Sequence, residues 1–178
     1  NPFLFPSGPG GTKRRLSEPW HLLDVLETVM GGMESWISPD AEVEEDTQIE
    51  GVVRIEAGAR ILGGTRIKGQ VYIGRDVFIG NNTLIRGNTS LGAGCVVGYA
   101  AEIKSSLALE GASIGPGCAV PDSVLGKNCV LGGSVRISNT YPNGDTVRYK
   151  VDQRLSDTRR THFGAIIGDH ATLAGGGR

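Results

Sequence analysis

Residues 37–80 read ISPDAEVEEDTQIEGVVRIEAGARILGGTRIKGQVYIGRDVFIG. A branched aliphatic residue returns at every sixth position of this stretch, and the pattern continues to residue 109. The positions are Ile37, Val43, Ile49, Ile55, Ile61, Ile67, Ile73, Ile79, Ile85, Leu91, Val97, Ile103 and Leu109. Neither the 3.6-residue period of a helix nor the alternation of a half-buried strand accounts for a period of six. The repeat is typical of a β-solenoid, in which short strands stack around an interior column of aliphatic side chains.

A second column supports this prediction. Four residues after each aliphatic position stands a small or β-branched residue, with Leu107 as the exception. Residues about 18 apart in the sequence should then lie one above another, at the inter-strand spacing of about 4.8 Å. Residues of one functional site are therefore expected to recur at this spacing on successive coils.

Composition agrees with a narrow solenoid and excludes some partners. The 178 residues include 28 Gly but only four Phe, four Tyr and two Trp, as expected for tight corners and a thin interior. The net charge of −1 argues against electrostatic binding to nucleic acid or to a membrane surface. No stretch predicts a membrane span or a signal segment. Cys95, Cys118 and Cys129 lack metal-ligand spacing, and we predict reduced core thiols, as in a cytoplasmic protein.

Composition and periodicity divide the chain into three segments. Residues 1–18 are rich in Pro, Gly and basic residues and predict a flexible lead-in. Residues 19–33 carry apolar residues at helical spacing, which predicts a linker helix that caps the open first coil. Residues 34–178 form the predicted solenoid domain.

The solenoid pattern is interrupted in two ways. Its register slips by one residue at Ile114 and again at Leu125, where a coil bulges or a loop leaves the prism. Residues 139–163 break the period altogether and predict a long loop, which in a regular domain is usually functional. Because the period resumes for only about one hexapeptide after this loop, we expect further coils to be missing at the C-terminal end.

Four stretches resemble a known family. They are PWHLLDVLETVM (residues 19–30), IRGNTSLGAGCVVGYAAEIKSS (85–106), DSVLGKNCVLGGSVRISN (122–139) and FGAIIGD (163–169). Together they resemble the C-terminal half of the bifunctional sugar-1-phosphate nucleotidylyltransferase/amino-sugar-1-phosphate N-acetyltransferases, especially the archaeal type. The resemblance implies an all-β fold, a left-handed parallel β-helix with one N-terminal helix. It also implies a homotrimer that binds acetyl-CoA in clefts between subunits, with the nucleotidylyltransferase as another domain or subunit.

A column of cations is the first candidate site. Lys68, Arg86 and Lys104 each follow a repeat aliphatic and are spaced by 18 residues, so they should stack on successive coils. Stacked like charges are unfavourable unless anions or carboxylates lie among them. The column is either a phosphate or carboxylate pocket, or a solvated ladder balanced by Glu50 and Glu102. The resemblance places Arg86 and Lys104 where the family binds the phosphate of its substrate. Lys68, in the same column, would reinforce the field.

The resemblance also assigns residues of the loop. Asn139 matches an Asn that helps to hold the acetyl acceptor, although such a residue also commonly caps a loop. Arg159, Arg160 and His162 precede FGAIIGD, where family members carry basic residues that meet the anionic coenzyme. Basic loop residues are otherwise simply solvated.

The catalytic motif of the family is altered here. The family supplies a general-base His and a neighbouring Tyr from a segment of the type P-H-x-x-Y-V-G-D-S. When the chain is aligned on the Asp-Ser pair at 122–123, Pro116 stands in place of the His and Ala119 in place of the Tyr. Neither side chain can accept or donate a proton. His162 and His170, at the return from the loop, are the candidates to replace the base.

Two functional hypotheses follow. The first is an acetyl-CoA-dependent N-acetyltransferase-like domain that acts on an amino-sugar 1-phosphate in sugar-nucleotide biosynthesis. The second is a catalytically inert solenoid that trimerises or regulates a sugar-1-phosphate nucleotidylyltransferase and still binds sugar phosphate. A metal-dependent hydratase of the carbonic-anhydrase type needs three suitably placed His, and the regular coils contain none. We therefore predict no metal site.

Overall fold

The computed structural model describes residues 4–5, 14–151 and 153–175. Within them lie one helix, α1 (His21–Met30), and short strands throughout. The strands are β1 (Leu4–Phe5), β2 (Arg14–Arg15), β3 (Trp36–Ile37), β4 (Glu42–Val43), β5 (Gln48–Ile55), β6 (Arg60–Ile61), β7 (Arg66–Ile73), β8 (Phe78–Ile79), β9 (Leu84–Arg86), β10 (Thr89–Leu91), β11 (Val96–Val97), β12 (Glu102–Lys104), β13 (Leu107–Ala108), β14 (Ser113–Ile114), β15 (Ala119–Pro121), β16 (Val124–Leu125), β17 (Val130–Leu131), β18 (Arg148–Val151), β19 (Arg154–Asp157), β20 (Ile166–Ile167) and β21 (Thr172–Leu173).

The solenoid strands wind into three parallel faces. Face one contains the first halves of β5 and β7, followed by β9, β12 and β15. Face two contains β3, the second halves of β5 and β7, and β10, β13, β16 and β20. Face three is the seven-stranded sheet β4, β6, β8, β11, β14, β17 and β21. This parallel solenoid confirms the predicted fold class and is consistent with a left-handed β-helix.

β5 and β7 run continuously around the corner between faces one and two. They bend at Gly51 and Gly69, whose φ angles are +107° and +104°. Only glycine adopts this conformation readily, and a Cβ atom at Gly51 would also overlap the backbone of Gly69. Glycine at these two positions therefore allows one strand to serve two faces.

The interior is the aliphatic column that the period predicts. Ile67, Ile85 and Ile103 are fully buried on face one, and the other two faces contribute equivalent side chains. The first coil is different, because Ile37 is 48% exposed and Ile49 is 36% exposed. The N-terminal end of the prism therefore presents apolar side chains to the surface.

The first register slip lies earlier than predicted. Ala108, not Leu109, is buried and pairs with Leu91, so the slip occurs between Ile103 and Ala108 rather than at Ile114. A tighter corner explains the difference, since Ser105 adopts a φ of +46° and the chain turns one residue sooner. Leu107 was the exception in the column of small residues. In the structure the buried residue of that column is its neighbour Ser106.

The second slip lies at the predicted place. Leu125 pairs with Ala108 and follows Val120 by five positions. Both slips and the loop at 139–163 fall at the corner that joins face one to face two. Changes in coil length are therefore concentrated at this corner.

Helix α1 packs on the side of the prism, against face two, and its expected capping of the first coil stays a prediction. Its buried residues Leu23, Leu26 and Met30 pack in a cluster with four outward side chains of face two, Tyr72, Leu107, Val124 and Ile166. These outward positions are apolar, so they attract the apolar stripe of the helix. The predicted lead-in at 1–18 lies largely outside the described residues. Within it, β1 and β2 pair as antiparallel strands.

All three cysteine thiols lie in the interior and are unpaired. The Sγ atoms of Cys95 and Cys118 donate to the carbonyl oxygens of Leu109 and Gly132. Desolvation by burial raises the pKa of all three thiols, to about 11 for Cys95. The structure thus confirms the predicted core positions.

We predict that these thiols resist alkylation until the protein unfolds. Iodoacetamide at pH 8 should label none of them in the native state and all three in guanidinium chloride, as measured by mass spectrometry.

Above pH 9 the unfolded Cys95 ionises while the folded thiol stays protonated, so the free energy of unfolding should fall until about pH 11. The slope from this group is at most about 1.4 kcal/mol per pH unit. Equal slopes in the wild type and in Cys95→Ala would contradict this assignment.

Candidate functional site

A cleft opens beside the corner between faces one and two, where the long loop leaves the solenoid. Its volume is about 290 Å³. It is lined by Arg86, Glu102, Lys104, Ala119, Val120, Pro121, Asn139, Thr140 and His162. Strands β9, β12 and β15 supply the floor, and the two ends of the loop supply the wall. The cleft therefore brings together Arg86, Lys104, Asn139 and His162, which the sequence analysis had selected separately.

The predicted cation column is present, and its members are paired with carboxylates. Lys68, Arg86 and Lys104 are register neighbours on successive coils. Lys68 Nζ lies 3.1 Å from Glu50 Oε2. Arg86 donates from Nε (2.9 Å) and Nη2 (2.7 Å) to a single oxygen, Oε1 of Glu102. Glu50 and Glu102 thus balance the cations, as expected for a solvated ladder. The Arg86–Glu102 pair also lines the cleft, as expected for a binding pocket.

A buried carboxylate organises the inner end of the cleft. Asp122 is only 5% exposed, and its Oδ2 accepts from Lys104 Nζ at 3.2 Å and from Asn139 Nδ2 at 2.6 Å. Asp122 has a φ of +48° at the corner, directly above Ser105. Asp122 was not among the predicted site residues. The sequence signal for it is the spacing of 17 residues that places Ser105, Asp122 and Asn139 at one corner of successive coils.

The two ends of the loop are tied together at the cleft. Asn139 O accepts from the amide of Phe163 at 2.9 Å, and Asp122 O accepts from the amide of Gly164 at 2.8 Å. His162 is therefore held at the rim, exposed, with Nδ1 3.2 Å from Thr161 Oγ1. Between these ends, β18 and β19 form an antiparallel hairpin.

The other predicted residues lie elsewhere. Lys68 is one coil away from the cleft lining. Arg159 is exposed, and its amide donates to Asp157 Oδ1. His170 is at the corner between faces two and three, where its amide donates to the Lys127 carbonyl, so it does not line the cleft.

Arg160 is held by helix α1. Its guanidinium donates from Nη1 to Asp24 Oδ1 at 2.5 Å and from Nη2 to Glu27 Oε1 at 2.6 Å. Its side chain is engaged with helix α1, and the expected contact with a coenzyme stays a prediction. A guanidinium that forms two ion pairs and is 20% exposed has little capacity left for a diffusible anion.

The positions of the altered catalytic motif are also clear. Ala119 lines the cleft beside its register partner Glu102, whereas Pro116 lies at the corner between faces three and one. His162 is the imidazole that lines the cleft. In the described part of the chain, no cluster of three or more His, Cys, Asp or Glu side chains is placed to hold a metal ion. Its one helix is too short to cross a bilayer.

The family model described as the GMPPB C-terminal domain matches residues 67–174, which include the whole floor and wall of the cleft. The chain belongs to this family. The match covers more than half of the chain and extends from β7 to β21. The cation column and the loop therefore lie within the GMPPB C-terminal domain.

Two curated relatives of the chain are named as uncharacterized acetyltransferases. The uncharacterized acetyltransferase YaiX of Escherichia coli O6:K15:H31 is 36% identical over 80 residues, which are 45% of this chain and 35% of that protein. The protein of Escherichia coli K12 with the same name matches to the same extent. The matched part of the chain thus spans about a third of the length of these curated relatives.

Solved structures share the fold. PerB from Caulobacter crescentus, in complex with CoA and GDP-perosamine, has a TM-score of 0.55 at 17% identity, covering 70% of this chain and 57% of PerB. A mutant of AntD, an N-acyltransferase from Bacillus cereus in complex with dTDP and coenzyme A, has a TM-score of 0.53 at 14% identity. That match covers 72% of this chain and 92% of AntD. At these identities the likeness establishes the fold.

Proposed function

We propose that the chain is an N-acetyltransferase-like domain of sugar-nucleotide biosynthesis that takes an amino-sugar 1-phosphate as acceptor and acetyl-CoA as donor. The observation that carries the proposal is the convergence of Arg86, Lys104, Asn139 and His162 on one cleft. The quoted motifs further support an origin in a bifunctional enzyme of the archaeal type. A nucleotidylyltransferase domain or subunit would then be the partner.

The phosphate would bind on the floor. Arg86 is 43% exposed and uses two N–H groups on one oxygen of Glu102, so it can exchange this exposed partner for a phosphate. Lys104 is held by buried Asp122 and supplies a fixed point charge. Glu102, which is 42% exposed, would swing toward solvent as phosphate enters. Lys68 would strengthen the field from the next coil.

The amine would be acetylated at the wall. Acyl transfer to an amine needs a base for the departing proton and a donor for the developing oxyanion. We assign the base to His162, which is exposed at the rim, and orientation of the acceptor to the Asn139 amide. Arg159 and His162 would contact the coenzyme from the loop. Because Pro116 and Ala119 replace the family's His and Tyr, we expect turnover to be lower than in the intact motif by about 10²–10⁴.

Two further parts of the proposal are the acetyl donor and the homotrimer. PerB and AntD were solved with coenzyme A, which supports acetyl-CoA as the donor. Val96 and Val130 project from face three and are 44% and 40% exposed. A cyclic homotrimer would cover such apolar positions and close the assembly. We propose that the functional unit is this trimer.

A second candidate function rests on one specific observation. The two positions at which the family carries its His and Tyr hold Pro116 and Ala119, so the site lacks both groups where they are expected. This favours an inert solenoid that trimerises or regulates a nucleotidylyltransferase and still binds sugar phosphate. The candidates differ in whether acetyl-CoA binds and whether free thiol is released.

Titration calorimetry with glucosamine 1-phosphate and acetyl-CoA, followed by a thiol-release assay, tests both candidates. We expect saturable binding of both ligands and slow thiol release. Arg86→Ala should weaken sugar-phosphate binding by about 10- to 100-fold, as expected for loss of a charged hydrogen bond worth about 1.5–3 kcal/mol. Arg60→Ala is the matched control, because Arg60 pairs with exposed Glu42 on face three.

The outcomes separate the candidates. Sugar-phosphate binding without acetyl-CoA binding would support the inert solenoid. If neither ligand binds the wild type, or if Arg60→Ala and Arg86→Ala weaken binding equally, the proposed phosphate site is wrong.

A further inference from the structure

The loop wall of the cleft is anchored to helix α1 by charge. Arg160 binds Asp24 and Glu27, which are three residues apart and therefore lie on the same face of the helix. The Arg160 side chain is 20% exposed, so solvent screens these ion pairs less than it screens a fully exposed pair. The carbonyl of Arg160 also accepts from the amide of Val147, which fixes the loop backbone at this point.

The same anchor has an apolar part. Phe163 is 1% exposed and Trp20, which precedes α1, is 3% exposed. Trp20, Tyr149 and Phe163 meet edge to face with ring centroids 5.5–6.2 Å apart. This geometry is the favourable one for aromatic pairs. Phe163 is therefore seated between the helix and the hairpin of the loop.

Phe163 is also the residue next to the cleft. Its amide donates to the carbonyl of Asn139, and its neighbours His162 and Gly164 respectively line the cleft and bond to Asp122. A displacement of Phe163 would move His162 and Asn139 together. It would leave Arg86 and Lys104 in place, since they belong to strands β9 and β12 of the solenoid.

We propose that α1 is a positioning element for the wall of the cleft and that Arg160 is the residue through which it acts. The floor of the cleft is set by the solenoid alone, whereas the wall depends on the helix. Any domain or subunit that shifts α1 would thereby change the acceptor wall without changing the phosphate floor. The anchor itself is independent of the proposed function, but its effect on glucosamine 1-phosphate rests on that function.

Hydrogen–deuterium exchange of the whole chain, without ligand, tests the anchor directly. In Arg160→Gln we expect the amides of Phe163 and Gly164 to exchange at least tenfold faster, with no change at the Gly80 amide, which is bonded to Val97 O inside the solenoid. Arg154→Gln, at an exposed arginine of the same hairpin, should leave all of these amides unchanged. The charge-reversed variant Arg160→Glu with both Asp24→Arg and Glu27→Arg should restore most of the lost protection.

Ligand binding separates positioning from general loss of structure. Arg160→Gln should weaken glucosamine 1-phosphate at least fivefold but leave inorganic phosphate, which needs only the floor, within twofold of wild type. Unchanged exchange at Phe163 and Gly164, or equal weakening of both ligands, would overturn the proposal. If the wild type binds neither ligand, the proposed function fails, and the exchange experiment alone then decides whether α1 positions the wall.

Discussion

Lys104→Met is expected to lose both stability and affinity for sugar phosphate. The substitution keeps much of the side chain's apolar volume but removes the cation that faces Asp122, which is 5% exposed. A buried carboxylate without its cation carries an uncompensated desolvation cost, so we expect a loss of about 2–4 kcal/mol in the free energy of unfolding. Chemical denaturation monitored by circular dichroism measures this loss.

The double variant Lys104→Met with Asp122→Asn separates the two effects. Removing the stranded charge should restore at least half of the lost stability, while affinity for glucosamine 1-phosphate stays at least tenfold below wild type. Lys68→Met is the matched control, because Lys68 stands in the same column but pairs with exposed Glu50 outside the cleft. Its stability should change by less than about 0.5 kcal/mol. A double variant that is no more stable than Lys104→Met would show that Asp122 carries no such cost.

Gly164→Ala is expected to have the second large effect, through packing alone. A Cβ atom at this position would overlap the carbonyl oxygen of Pro121 and the hydroxyl of Ser123. The carbonyl belongs to strand β15, so the returning loop must move instead and lose the bond from Gly164 N to Asp122 O. We expect a loss of about 2–3 kcal/mol, at the upper end of the usual overpacking range.

Thermal unfolding provides the measurement for Gly164→Ala. For a chain of this size, a loss of about 2–3 kcal/mol lowers Tm by about 4–12 °C. Gly168→Ala, four residues further on, is the control, because a Cβ atom there meets nothing within 4 Å. It should stay within about 0.5 kcal/mol of wild type. Equal Tm values for the two alanine variants would contradict the close approach between Gly164 and β15.

The sequence predicts the solenoid well because its information is local and repeated. Each aliphatic position faces inward for the same geometric reason, so the three faces and the stacking of Arg86 on Lys104 follow from the period. The first slip was misplaced because Ala108 and Leu109 are both apolar. A rule that favours branched aliphatics chooses Leu109, whereas the tight corner at Ser105 turns Ala108 inward.

The wall of the cleft was harder to predict, because residues 139–163 carry no period to align them. Arg160 looked like a ligand residue for lack of any sign that it meets Asp24 and Glu27, more than 130 positions away. The family resemblance indicates Asn139, and it indicates His162 together with the position of that residue at the return from the loop. Such contacts depend on how the loop folds back over face two, which no local pattern specifies.

The uneven corner between faces one and two also bears on how such a domain can diversify. The distance in sequence from an inward-facing residue of face one to the next inward-facing residue of face two differs between the last four coils. It is six residues in the first of these coils, five in each of the next two, and thirty in the last. The residue pairs are Ile85 and Leu91, Ile103 and Ala108, Val120 and Leu125, and Ile137 and Ile167. The strand ladders on either side stay in register throughout, so residues inserted at this corner do not disturb the core. Because the cleft borders the same corner, a loop transplanted there would change the lining of the cleft and leave the rest of the molecule unchanged.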